Sequence, residues 1–117
     1  MTIKGLGIDI VEVERIEAMV DEWGEIFLEK VFSQEELDYC TGRARKLEHL
    51  AGRFAAKEAI FKAVGRKLPW QAIEILPDGK GKPVVTVEGL GDEQGGKMLV
   101  SITHVEEYAM AIALLSG

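Results

Sequence analysis

Apolar residues follow a helical period through the first half of the chain and a strand period through the second, and the changeover at Gly65 is what most limits the folds open to it. Residues 47–64, LEHLAGRFAAKEAIFKAV, are rich in Ala, Leu, Glu and Lys, and Gly65 ends them; they form the best helix in the chain. Before them, Ile16, Met19, Val20, Trp23, Ile26 and Phe27 recur at helical spacing over 12–30, with a possible break at Gly24. Ser33 and Glu36 have capping-box spacing, so a short helix starts there and runs through Leu37 towards Cys40, ending near Gly42. Beyond Gly65 the spacing predicts strands at 73–76, 83–87, 98–104 and 108–115, the first two joined by a turn at Pro77, Asp78 and Gly79. A Gly-rich loop follows Val87, and the last two strands form an antiparallel hairpin around Val105, Glu106 and Glu107. The helices are themselves preceded by a strand, residues 3–11 (IKGLGIDIV), with Ile8 and Ile10 on one face and Gly7, Asp9 and Val11 on the other.

The 117 residues leave room for one domain, with no internal repeat and no linker. At 47% hydrophobic and 29% charged, the composition is globular. No apolar run approaches the roughly 20 residues a spanning helix needs. Asp9 interrupts what would otherwise resemble a signal core, so the mature protein is expected to start near Met1. The single Cys40 cannot form an internal disulfide, and with neither a CxxC pair nor a Cys/His cluster to hold zinc, a reducing, cytoplasmic setting is expected.

Fourteen Lys plus Arg against twenty Asp plus Glu give 14 − 20 = −6, which disfavours general nucleic-acid binding, as does the absence of an aromatic stacking platform. The charge is uneven. Residues 12–30 hold seven acids against Arg15 and Lys30, a net of −5, whereas 42–67 hold eight bases (Arg43, Arg45, Lys46, Arg53, Lys57, Lys62, Arg66, Lys67) against Glu48 and Glu58, a net of +6. The basic segment reads either as a site for a small polyanion such as a phosphorylated nucleotide or as a solvated helix face.

On a helical wheel, Glu58 shares the apolar arc of Leu47, Ala51 and Phe54, with Lys62 one turn on. An ordinary Glu/Lys helix pair accounts for that arrangement. Asp9, a carboxylate inside a strand where Asp is usually avoided, adds a second reading: Asp9 and Glu58 converge on one hard cation whose other positions go to water and phosphate. Two acids, a lysine and a nearby basic segment make a phosphoryl-transfer constellation. His104, at a strand end, reads as a structural hydrogen-bonding residue or as a phosphate contact and proton shuttle. The tract Gly79, Lys80, Gly81, Lys82, Pro83 lets backbone approach a ligand, or is a plain turn.

Taken together, GIDIVEVERI (7–16), FSQEEL (32–37), AGRFAAKEAIFKA (51–63), GKP (81–83) and SITHVEEYA (101–109) occur in the order and approximate spacing of the holo-acyl-carrier-protein synthases, and the chain resembles that family of small 4'-phosphopantetheinyl transferases over nearly its whole length. The resemblance implies an α+β fold, one domain over 1–117, with an antiparallel sheet packed on a long central helix, assembled as a homotrimer with active sites between subunits. It implies transfer of phosphopantetheine from coenzyme A to a serine of an apo acyl carrier protein, releasing adenosine 3',5'-bisphosphate, with Mg2+ held by Asp9 and Glu58. By the same resemblance, Lys62 faces the coenzyme A pyrophosphate, His104 its phosphate groups, Arg45 and Arg53 join the anion site, and Gly81, Lys82 and Pro83 line the nucleotide. A serine hydroxyl must lose its proton during attack, and Glu58 is the expected base. Arg15, Met19 and Phe27 are the expected carrier-docking residues on a first helix that is otherwise acidic, so a specialised carrier preference is expected. Retention of Asp9, Glu58 and Lys62 together favours catalysis over a non-catalytic binding module.

Overall fold

The computed structural model describes residues 2–89 and 96–117; Met1 and the part of the expected Gly-rich loop at 90–95 lie outside the described residues. The elements run β1 (Ile3–Glu12), α1 (Val13–Trp23), α2 (Glu25–Val31), α3 (Gln34–Thr41), α4 (Lys46–Val64), a 3-10 turn (Trp70–Ala72), β2 (Ile73–Pro77), β3 (Pro83–Val87), β4 (Lys97–His104) and β5 (Tyr108–Ser116). The break expected in the first helical stretch is real: Gly24, at φ +53°, separates α1 from α2 in a conformation that a side chain would oppose. The Ser33 hydroxyl accepts from the Glu36 amide at 3.1 Å, and the Glu36 carboxylate accepts from the Ser33 amide at 2.9 Å, so the capping box is closed in both directions. Gly65, at φ +91°, stops α4 with its amide on the Phe61 carbonyl.

The expected antiparallel sheet divides in two: a three-stranded sheet in the order β1-β5-β4 and a separate hairpin of β2 and β3. Helix α4 lies across one face of the larger sheet, where Gly5, Gly7, Val11, Ala109, Ala111 and Ala113 present little bulk to its Ala59 and Ala63. A helix that is buried on nearly every side is a core element, and α4 is one. No helix among the described residues is long and apolar enough to cross a membrane.

The glycine-bearing face of β1 is the buried one, and the isoleucines point away. Ile8 and Ile10 are each 56% exposed, and the strand register sets them beside Ile112 and Met110, so the outer face of the sheet is apolar and uncovered within one chain. Contiguous exposed apolar faces are the kind of surface that proteins use for contacts.

Candidate active site

The glycines of β1 set the position of Asp9. A Cβ on Gly7 would lie 2.9 Å from the Ala63 amide nitrogen and closer still to the Ala59 carbonyl, so only glycine permits this approach of strand and helix. Two residues further on, Asp9 occupies the same face, and the Lys62 side chain of α4 reaches it. The Lys62 ammonium donates to the Ile8 carbonyl at 2.8 Å and to Asp9 Oδ1 at 3.3 Å. Of its three N–H donors, two are thereby directed at β1 and one remains for a substrate oxygen. Glu58, half-buried, stands one turn before Lys62 on α4. The ion pair that forms is Lys62 with Asp9 and not the i,i+4 pair with Glu58 that helix spacing alone allows.

The second cluster lies at the opposite edge strand of the sheet and the N-terminal half of α4. His104, at the end of β4, bonds Glu48 through Nδ1 at 2.8 Å, and Arg45 approaches the other Glu48 oxygen at 3.8 Å. His49 packs edge-on against His104, with 5.1 Å between ring centroids, and against Tyr39 at 5.7 Å. The guanidinium groups of Arg43 and Arg53 lie over the Tyr39 ring at 4.5 and 4.6 Å. Burial first, then the neighbouring His104, Arg53 and Arg43, hold the His49 imidazole below its usual pKa of 6.5, against the pull of Glu48. Below about pH 6.5 the unfolded chain therefore takes up a proton that folded His49 resists, and stability falls as pH drops through that window. The melting temperature should be lower at about pH 5.5 than at about pH 7.5, and His49→Phe should remove that part of the fall.

Two sequence expectations need correction. Phe27, expected to contact a carrier, is 6% exposed and packs edge-on against Phe32, so it belongs to the core; Arg15 is exposed and Met19 half-buried. Lys57, counted among the eight bases of an anion-attracting segment, is sealed on Glu36 with neither side chain exposed. Arg53, from the same count, is largely buried. Gly81, Lys82 and Pro83 sit at the turn into β3, where Asp78 Oδ1 accepts from the Lys80 and Lys82 amides at 2.8 and 3.0 Å. Those two backbone bonds hold the Asp78 carboxyl below its ordinary range. Lys82 and Pro83 line a cavity of about 780 Å³ against β4, which shares no lining residue with the cavity of about 710 Å³ at Arg45, Glu48 and Tyr108. Sequence reading missed Tyr39 and His49, because nothing in their spacing connects α3 with β4.

Cys40 is buried, and burial pushes its thiol up to about 11, so it is no nucleophile at neutral pH. Among the described residues no group of three or more His, Cys, Asp or Glu is placed to hold a metal. Asp9 and Glu58 offer carboxylate oxygens from facing elements. That donor set fits a hard cation that keeps water and substrate phosphates in its remaining positions.

The comparisons agree on one family. The model described as the 4'-phosphopantetheinyl transferase superfamily matches residues 5–113. The holo-[acyl-carrier-protein] synthase of Protochlamydia amoebophila is 44% identical over 119 residues, covering 97% of this chain and 98% of that one. Among solved structures, the Bacillus anthracis holo-(acyl-carrier-protein) synthase in complex with CoA (3',5'-ADP) is 36% identical with a TM-score of 0.84, covering 98% of this chain and 97% of that one. The Neisseria meningitidis holo-[acyl-carrier-protein] synthase is 30% identical with a TM-score of 0.89, covering 99% and 100%.

Proposed function

The chain belongs to the 4'-phosphopantetheinyl transferase superfamily, and from that membership we infer its reaction: it transfers the 4'-phosphopantetheine group of coenzyme A to an apo acyl carrier protein. The observation that carries the assignment of residues is the Lys62 ammonium held on Ile8 and Asp9 beside Glu58. In the proposed step a serine oxygen of the carrier bonds to the β-phosphorus as the bond to the bridging oxygen breaks, and adenosine 3',5'-bisphosphate leaves. Glu58 accepts the serine proton. Lys62, already oriented by β1, directs its third N–H at a pyrophosphate oxygen, where negative charge grows. Asp9 and Glu58 would hold a magnesium ion, which when bound neutralises charge on the transferring phosphoryl group.

Arg45, Arg53 and His104 would take coenzyme A phosphates, yet they belong to the N-terminal half of α4 and to β4, whereas Lys62 is near the C-terminal end of α4. One coenzyme A reaching both clusters is best served by two copies of the chain, each supplying one flank. The apolar outer sheet face with Leu6, Ile8, Ile10, Met110 and Ile112 supplies a surface for such contacts, and a homotrimer with active sites between subunits is the proposed assembly. Carrier docking is proposed for exposed Arg15 with Met19, and Lys82 and Pro83 would line the nucleotide from the neighbouring subunit's cavity. A buried, unpaired Cys40 accords with a reducing, cytoplasmic compartment.

Intact-mass spectrometry of an apo carrier incubated with the protein, coenzyme A and magnesium tests the reading. A mass gain of one phosphopantetheine is expected, abolished by chelator and by Asp9→Ala; no gain on a panel of apo carriers would overturn it. Glu58→Gln should lower kcat far more than it raises KM for coenzyme A, and equal effects on both would remove its role as base.

A further inference from the structure

We propose that the outer side of α1 and α2 docks a carrier protein whose surface beside the acceptor serine is apolar and ringed by Lys and Arg: Met19, Trp23 and Ile26 supply the apolar contacts, and Asp21 and Glu22 meet the partner's cations. The proposal rests on the transferase reading above and names the kind of carrier that reading leaves open.

The apolar half of this surface follows from helical spacing. Arg15, Met19 and Trp23 recur every four residues along α1, so they line one side of it. Met19 is half-buried, Trp23 is 50% exposed, and Ile26, just past the Gly24 break, is 71% exposed. Tryptophan is a frequent interface anchor, because it buries a large area while few torsions are frozen. At one end of the stripe Arg15 Cζ lies 6.0 Å over the Phe54 ring, and Phe54 is one turn before Glu58 on α4. A partner seated on the stripe therefore stands beside the carboxylate proposed to take the serine proton.

Charge selects the partner. Six exposed carboxylates on α1 and α2 (Glu14, Glu17, Asp21, Glu22, Glu25, Glu29) stand against two exposed cations, Arg15 and Lys30. No ion pair found among the described residues engages any of the six. Helix stability does not account for them all. Glu25 opens α2, where the helix dipole favours a negative charge. Asp21 and Glu22 instead lie in the last turn of α1, which holds no basic residue, and there the dipole opposes them. Those two carboxylates burden the free chain, and a cationic partner surface relieves them. An acidic partner would add like-charge repulsion at the same place.

Calorimetry of the assembled protein with two forms of one apo carrier reads the preference: a parent with an acidic surface beside its serine, and a folded variant in which lysines replace those acids. The lysine form should bind at least about tenfold more tightly at about 50 mM salt, and its advantage should shrink as salt rises to about 300 mM. Asp21→Lys combined with Glu22→Lys, a change the end of α1 accommodates, should reverse the order of the two carriers and leave KM for coenzyme A unchanged. Trp23→Ala and Ile26→Ala should each weaken binding of the lysine form about tenfold. Equal or tighter binding of the acidic parent, or an unchanged order in the double variant with native circular dichroism, would overturn the proposal. So would Trp23→Ala and Ile26→Ala proteins that change oligomeric state but not carrier affinity, which would assign the stripe to a second copy of this chain. Should Trp23→Ala unravel α1, Ile26→Ala decides alone. The mass assay separates the two readings: a binding preference without transfer would defeat the transferase reading and leave the docking surface standing, and transfer without the preference would do the reverse.

Discussion

Replacing Lys57 with methionine is expected to destabilise the fold by about 3–5 kcal/mol, the usual cost of leaving one member of a buried ion pair without its partner. The Lys57 ammonium donates to Glu36 Oε1 at 2.8 Å, to the Val31 carbonyl at 2.7 Å and to the Trp70 carbonyl at 3.3 Å, so its three donors are all engaged. Glu36 in turn accepts from the Ser33 amide at 2.9 Å and, through its second oxygen, from the Ile75 amide at 2.9 Å. One pair thereby ties the end of α2, the start of α3, the middle of α4 and the middle of β2. Burial pushes the Lys57 ammonium below its ordinary pKa, and the Glu36 charge and hydrogen bond oppose that shift. Methionine fills a similar volume but strands a carboxylate and two carbonyls in the core. Adding Glu36→Gln to Lys57→Met should return part of the loss, because the uncompensated charge is gone while the amide keeps an acceptor for one backbone N–H. Urea midpoints of the two single variants and the double variant check this, and a Lys57→Met loss below about 1 kcal/mol would mean the pair is replaceable.

How much of this was legible in the sequence follows from how far each contact reaches along the chain. The Ser33/Glu36 capping box spans three residues and was readable at once; the bond from Glu36 to Lys57 spans twenty-one and was not. Counting charge therefore put Lys57 in a basic surface segment when folding seals it inside. The helix break at Gly24, the stop at Gly65 and the hairpin at the end of the chain depend on local conformation, and the sequence showed each. The separation of β2 and β3 into their own sheet depends on which strands meet, and periodicity does not encode that. Asp9, Glu58 and Lys62 could be singled out as candidates because a strand aspartate and a helical carboxylate on an apolar arc are locally anomalous. Tyr39 and His49 are unremarkable in their own segments and acquire meaning only when α3, α4 and β4 converge.

Gly7→Ala should cost at least about 3 kcal/mol, at the upper end of overpacking penalties, because the added methyl meets backbone and not a movable side chain. It would lie 2.9 Å from the Ala63 amide nitrogen and 2.8 Å from the Ala59 carbonyl carbon. Neither atom can turn aside, since both belong to the hydrogen-bonded turns of α4. The strand must instead retreat from the helix, and that movement carries Ile8 and Asp9 away from Lys62. The 2.8 Å bond to the Ile8 carbonyl fixes the lysine relative to the strand, so the folded fraction should also lose kcat in the carrier assay even though no side chain of the site has changed. Gly79→Ala is the matched control: a Cβ there meets nothing within 4 Å, and its stability change should stay within about 0.5 kcal/mol. Equal denaturation midpoints for the two variants would show that strand and helix are not held at the distance that places Asp9. A Gly7→Ala protein that is destabilised but keeps full kcat would show that Asp9 and Lys62 tolerate the displacement.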